Sequence, residues 1–139
     1  MPIRRQHPDD PSFARLTLAA VGLEFGLPNL KLEREGRKIG LRQEVFARQV
    51  AVYLCQTVFN MSIPRVAELF SRDRTTITHA LAVVEESRED PVFNRKLMKM
   101  EDFLIDSWRS FHAPPPPIDL PANDRPAINR PQSTTGAPA

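Results

Sequence analysis

Residues Ser62 to Glu86 read SIPRVAELFSRDRTTITHALAVVEE, and this stretch decides the fold. Ser62 is a favoured N-cap residue, and Pro64 is compatible with a helix only in its first turn. Ile63, Val66, Ala67 and Phe70 repeat at spacings of three and four, which draws one apolar stripe along a helix. Ser71-Arg72-Asp73 breaks that period. The Asp73 carboxylate can accept bonds from the free N–H groups of a first turn, so a second helix is expected to start there. Ile77, Leu81 and Val84 continue as its buried face, while Arg74, Thr75, Thr78, His79 and Ala82 fall on the other side. Two helices joined by three polar residues, the second with a polar N-terminus, make a helix-turn-helix. The same pattern also suits an αα-corner whose polar face meets only water, and periodicity alone leaves both open.

Outward from this stretch, the pattern remains helical. Phe13 to Phe25 carries Phe13, Leu16, Ala20 and Leu23 at helical spacing, with Leu18, Val21 and Phe25 widening the face. Ser12 is a candidate cap, Gly26 a candidate stop, and Pro28 to Leu32 a short second helix or turn. Leu41 to Phe59 reads as the longest central helix, apolar over most of its circumference through Leu41, Val45, Phe46, Val50, Tyr53, Leu54, Cys55 and Val58. Such a helix is surrounded by others. Asp90-Pro91 is an N-cap followed by a proline at the first helical position. From Pro91 to about Ser110, Phe93, Leu97, Met100, Leu104, Trp108 and Phe111 form a stripe that closes the core, with the last turn free to present Trp108 and Phe111 to a partner.

The ends differ in character. Met1 to Pro11 is polar with mixed charge and reads as a flexible arm. Eight of the last 27 residues are proline, and residues 112–139 are expected to be a disordered, partly polyproline II tail. The expected organisation is therefore an arm over 1–11, a helical domain over 12–111 and a tail over 112–139. The fold class is all-α, with five to six helices around one helix-turn-helix of the Trp-repressor kind.

Composition sets outer bounds. The 139 residues suit one domain, and 41% hydrophobic content suffices for one small core. Nineteen basic against 17 acidic residues leave a net charge of only +2, so any attraction to nucleic acid must come from local clustering. The single cysteine, Cys55, excludes an internal disulfide and a multi-cysteine zinc site and fits a reducing cytoplasm. It reads as a core residue, since no neighbour in sequence would lower its pKa. No apolar run approaches the ~20 residues that span a bilayer, and the charged residues near Met1 are followed by no apolar stretch, so a secretory signal is not expected.

At SRDRTTITHALAVVEE the chain resembles the C-terminal DNA-binding domain of the bacterial replication initiator DnaA. That family's signature runs Gly-Arg-Asp-His-Thr-Thr-Val-x-His-Ala. Arg72, Asp73, Thr75, Thr76, His79 and Ala80 match it, and Ile77 replaces Val conservatively. Ala47 to Leu54 is similar to the family's Arg-Gln-Ile-Ala-Met-Tyr-Leu helix. Asn60 to Pro64 continues the likeness, and Leu16 to Lys38 resembles the first helix and basic loop. Altogether it covers roughly Phe13 to Trp108. The resemblance implies double-stranded DNA as partner, at replication-origin or promoter boxes. It implies that Asp73, Arg74, Thr75, Thr76 and His79 face bases, and that Arg34, Arg37, Lys38, Arg42, Arg48 and Arg72 meet the backbone or the minor groove. Three places depart from the pattern. Arg74 stands where the family has His, Ala82 and Val83 stand where it commonly has Arg-Lys, and the basic loop is thinner and followed by Glu44.

No Walker A motif or glycine-rich phosphate loop occurs, so the initiator's ATPase module is expected to be missing and the chain to act as a stand-alone module. His7, His79 and His112 show no metal-ligand spacing, and no catalytic constellation or cofactor motif stands out. The expectation is a monomeric, cytoplasmic, nucleoid-associated regulator of replication initiation or linked transcription, and not an enzyme. The alternative is a protein-binding regulator acting on the initiator or its inactivation machinery, with a partly lost DNA face.

Overall fold

The computed structural model describes residues 6–28, 30–32, 42–112 and 117. Among them are five helices and no strands: α1 (Asp10–Phe25), α2 (Arg42–Thr57), α3 (Ile63–Phe70), α4 (Arg74–Ser87) and α5 (Pro91–His112). The all-α class is as expected. The expected N-terminal residues before Gln6, the basic loop over 33–41 and most of the proline-rich tail lie outside the described residues.

The α1 helix starts earlier than expected, at Asp10, within the stretch read as an arm. Its N-cap is Asp9, and Ser12 lies inside the helix. The start is held from upstream instead: the Asp10 carboxylate accepts the His7 N–H at 3.0 Å, and the His7 ring nitrogen accepts the Asp9 N–H at 3.1 Å. The buried strip of α1 is also rotated from the expected one. Phe13, Ala14, Thr17, Leu18, Val21 and Gly22 are buried, whereas Leu23, expected in the core, is 79% exposed. The strip is built from small and polar residues as much as from large apolar ones. Thr17 can be buried because its hydroxyl donates to the Phe13 carbonyl at 2.7 Å. At the far end, Gly26 ends α1 with φ 69°, and the Leu27 N–H turns back to the Gly22 carbonyl at 2.7 Å. Gly22 is required there, since a Cβ would sit 2.5 Å from the Leu27 carbonyl oxygen. Among the described residues of 28–32 there is no helix, only a bend and turn.

The α2 helix is the central post. Ala47 and the whole run Val50 to Cys55 are buried, so neighbours surround it on all sides. Val45, expected on its core face, is exposed, because it lies one turn before that enclosed run. Cys55 is fully buried, and burial pushes its thiol up to about 12, as its reading as a core residue required. After α2 the chain reverses through Asn60, at φ 54°, a conformation asparagine tolerates.

The α5 helix runs two residues further than expected. Phe93, Leu97, Met100 and Leu104 are buried, as the stripe predicted. Beyond Leu104 the core thins. Trp108 is half-buried, its ring 5.0 Å from Phe13 and 5.8 Å from Phe59, and His7 and His112 close around it. Phe111, expected in the stripe, touches only the edge of this aromatic cluster and is 59% exposed.

Candidate nucleic-acid interface

The α3 and α4 helices form the expected helix-turn-helix. The Ser62 hydroxyl caps α3 by accepting the Arg65 N–H at 3.3 Å, and Val66, Ala67 and Phe70 face the core. The turn is made by Ser71 at φ 52° and ψ 49°, a left-handed conformation disfavoured for any residue with a Cβ. Two bonds close it: Ser71 N–H to the Glu68 carbonyl at 3.3 Å, and Arg72 N–H to the Ala67 carbonyl at 3.0 Å. This is the position at which the resembled signature has Gly, and the geometry shows why.

The new helix begins at once. Asp73 is extended, and its carboxylate accepts the Thr76 N–H at 2.8 Å. That bond, then one from the Thr76 hydroxyl, holds the Asp73 carboxyl below the usual carboxylate range, so it stays anionic against the helix N-terminus. Asp73 and Thr76, both expected to face bases, are thus engaged with each other in the cap. Ile77, Ala80 and Val84 fasten α4 to the core, with the small Ala80 deeper than the expected Leu81.

The opposite face of α4 is left bare. Arg74, Thr75, Thr78, His79 and Ala82 are all exposed and share one face by helical spacing. Four of these carry polar groups within the first two turns. Thr78 was not among the expected site residues, yet it lies three residues from Thr75 and four from Arg74, a spacing that would have found it. The far end of the helix and the turn after it are acidic, with Glu85, Glu86, Glu89 and Asp90 all exposed. The face therefore runs from cationic at its start to anionic at its end.

That acidic end is anchored rather than free. The Tyr53 hydroxyl donates to Glu85 Oε2 at 2.9 Å and accepts from Arg88 Nη1 at 2.8 Å. Arg88 also donates to Asn94 at 2.8 Å and lies 3.5 Å from Glu101. One network so ties the end of α4 to α2 and to α5. At the other side of the motif, Arg65 of α3 bonds Glu68 at 2.7 Å and the buried Asp10 at 3.2 Å, joining α3 to the start of α1.

The expected backbone-binding residues divide. Arg42 is exposed at the first residue of α2. Arg48 is half-buried and donates to the Leu32 carbonyl at 3.4 Å, which pins the segment after α1 against α2. Arg72 is half-buried, with a guanidinium nitrogen 3.1 Å from the Ser71 carbonyl. Arg34, Arg37 and Lys38 lie outside the described residues. Among the described residues no group of three or more potential ligands could hold a metal ion, and no helix is long and apolar enough to cross a membrane.

A family model of the bacterial DnaA helix-turn-helix matches residues 16–84, a span that begins in α1 and ends in α4. Residues 16–84 are a DnaA-type helix-turn-helix domain. Two chromosomal replication initiator proteins DnaA, from Thermoanaerobacter sp. (strain X514) and Thermoanaerobacter pseudethanolicus, are each 28% identical over 74 residues. The match takes in 52% of this chain but only 17% of each initiator, so the chain spans about a sixth of the length of these curated relatives. A crystal structure of a DNA replication initiation factor superposes with a TM-score of 0.59 over 71% of this chain and 30% of its own. At 24% identity that likeness shows a shared fold alone.

Proposed function

We propose that the chain binds double-stranded DNA sequence-specifically through α4, at sites of initiator type, and thereby regulates replication initiation or transcription linked to it. The observation that carries this reading is the exposed polar face of Arg74, Thr75, Thr78 and His79 at the start of α4, held out from a DnaA-type domain. A recognition helix enters the major groove with its N-terminal residues against base edges. The charge gradient along α4 favours that polarity, since the acidic end would be repelled by phosphates. Threonine methyls suit the thymine methyl, and His79 suits a base edge or a phosphate. Arg42 and Arg72, with the basic loop, supply phosphate contacts, each adding about 0.9 to the slope of log affinity against log salt.

The test is fluorescence anisotropy with duplexes carrying an initiator-type box or a scrambled site, at several salt concentrations. A preference of about a hundredfold for the box, lost in Thr75→Ala and His79→Ala, is the expected result. Equal, salt-labile binding to both duplexes would refute it, because phosphate attraction alone carries no sequence information.

One observation favours a second reading. Ala82 lies exposed in the middle of the α4 face where the resembled family commonly has a basic residue, and Phe103 and Phe111 line an open groove on α5 with Asp106, Ser107 and Ser110. A protein-binding regulator of initiation would need little charge on α4 and some apolar surface elsewhere. Co-purification of the initiator with the wild-type chain, abolished by Phe103→Ser, would support that reading.

A further inference from the structure

We propose that Arg74 reads one guanine in the major groove, which makes it the residue that sets this chain's site preference at that base pair. The inference rests on the DNA-binding reading above and deepens it. Arg74 is the first residue of α4, and its side chain is exposed. The acid beside it, Asp73, directs its carboxylate at the Thr76 N–H, 2.8 Å away, so it does not hold the guanidinium. No ion pair or side-chain hydrogen bond engages Arg74 among the described residues. Side chains in a helix lean toward its N-terminus, so a first-residue arginine extends ahead of the helix, into whatever the N-terminus enters.

Two acceptors are available there, phosphates and base edges, and the neighbours of Arg74 decide between them. Thr75, Thr78 and Ala82, which share its face, are short, and His79, more than a turn further on, is its one long neighbour there. Short side chains around the first turn let that end of the helix approach the groove floor, and a long first-turn side chain then reaches base edges instead of stopping at the backbone. Arg72, half-buried and resting on the Ser71 carbonyl, stays on the turn, where a phosphate would lie. Among base edges only guanine offers two adjacent acceptors, O6 and N7, that match the parallel N–H bonds of a guanidinium. Adenine sets a donor beside its acceptor, and cytosine and thymine offer less.

The experiment selects binding sites from randomised duplexes with the wild-type chain and with Arg74→Ala, then measures affinities on the selected site. Alanine is a strong helix former and Asp73 remains as cap, so the variant keeps its fold, which circular dichroism checks. The wild type is expected to enrich guanine at one fixed position, and the variant to lose preference there alone. Affinity for the guanine-bearing site should fall about tenfold to a hundredfold in Arg74→Ala. Replacing that guanine by 7-deazaguanine, which lacks the N7 acceptor, should weaken the wild type and leave the variant unchanged. Inosine, which keeps O6 and N7, should be neutral. A selected site without such a guanine, or a loss in Arg74→Ala that is equal for all sequences and reduces the salt slope by about one contact, overturns the assignment of Arg74 while sequence-specific binding stands. Failure of the wild type to enrich any sequence overturns the parent reading and this one together.

Discussion

The tie between α4 and the core can be tested by removing one oxygen. Tyr53→Phe deletes the hydroxyl that accepts from Arg88 at 2.8 Å and donates to Glu85 at 2.9 Å, and it leaves the ring, 5% exposed, in place. A hydrogen bond to a charged group contributes about 1.5–3 kcal/mol, and two are lost here. Both partners keep access to water, however: the Arg88 side chain is 28% exposed and retains Asn94 and Glu101, while Glu85 is on the surface. The expected loss is therefore about 1–2 kcal/mol, well below the sum for two such bonds, because water replaces much of what is removed. For a domain of this size that lowers the melting temperature by roughly 5–15 °C. Urea unfolding followed by far-ultraviolet circular dichroism would measure it, with an unchanged m-value if only the network is affected. A pH series identifies the phenol itself. Burial raises the Tyr53 pKa above its usual 10, against the opposing pull of Arg88. A group raised in the folded state contributes stability that is present below the unfolded pKa and lost as pH rises through the folded one. Wild type should lose stability above about pH 10 on this account, the variant should not, and the gap between them should narrow. A Tyr53→Phe difference below the ~0.5 kcal/mol of an ordinary surface change, or a gap constant from pH 8 to 11, would refute the reasoning.

The remaining expectations concern the turn, the cap and the close contacts. Ser71→Gly relieves a left-handed serine at φ 52° and should stabilise the domain by about 0.5–1 kcal/mol after the added flexibility of the unfolded chain, read from the urea midpoint. Asp73→Ala should fray the first turn of α4, seen as faster hydrogen exchange at the Thr76 amide. In the wild type, whose Asp73 pKa is lowered, the protection of that amide relative to an unstructured one should be lost only as pH falls below the usual carboxylate range and through the folded value. Gly22→Ala places a methyl 2.5 Å from the Leu27 carbonyl oxygen and should cost about 1–3 kcal/mol by overpacking, whereas Ala19→Gly at an exposed α1 site costs about 1 kcal/mol or less. Cys55, its thiol pushed to about 12, should react with a thiol reagent only at the rate of unfolding, and rapid labelling at pH 8 would contradict its burial.

Much of the candidate site was legible because its determinants are local. Ser62, Asp73 and Asp90 were readable as caps, and all three side chains accept the bonds their positions implied. The resemblance placed Asp73 and Thr76 against bases, and the cap reading placed Asp73 against the first turn; the structure shows the second, with Asp73 bonded to the Thr76 N–H at 2.8 Å. Arg48 presents a similar case. The resemblance implies that it meets the DNA backbone or minor groove, but in the free protein its guanidinium reaches a carbonyl sixteen residues away, at Leu32.

The sequence by itself determined the helices, their order and the polar face of α4, because caps, prolines and a period of 3.6 residues act within a few positions of the chain. The tertiary structure alone decided which flank of α1 is buried. In α1 close packing accepts Ala14, Thr17 and Gly22 and leaves Leu23 at 79% exposure, since fit between neighbouring helices, and not hydrophobicity of single residues, selects the strip. It also decided that the end of α4 is held by Tyr53, 32 residues earlier, through Glu85. Contacts between groups so far apart in sequence leave no periodic trace, so they become visible only when the helices are packed.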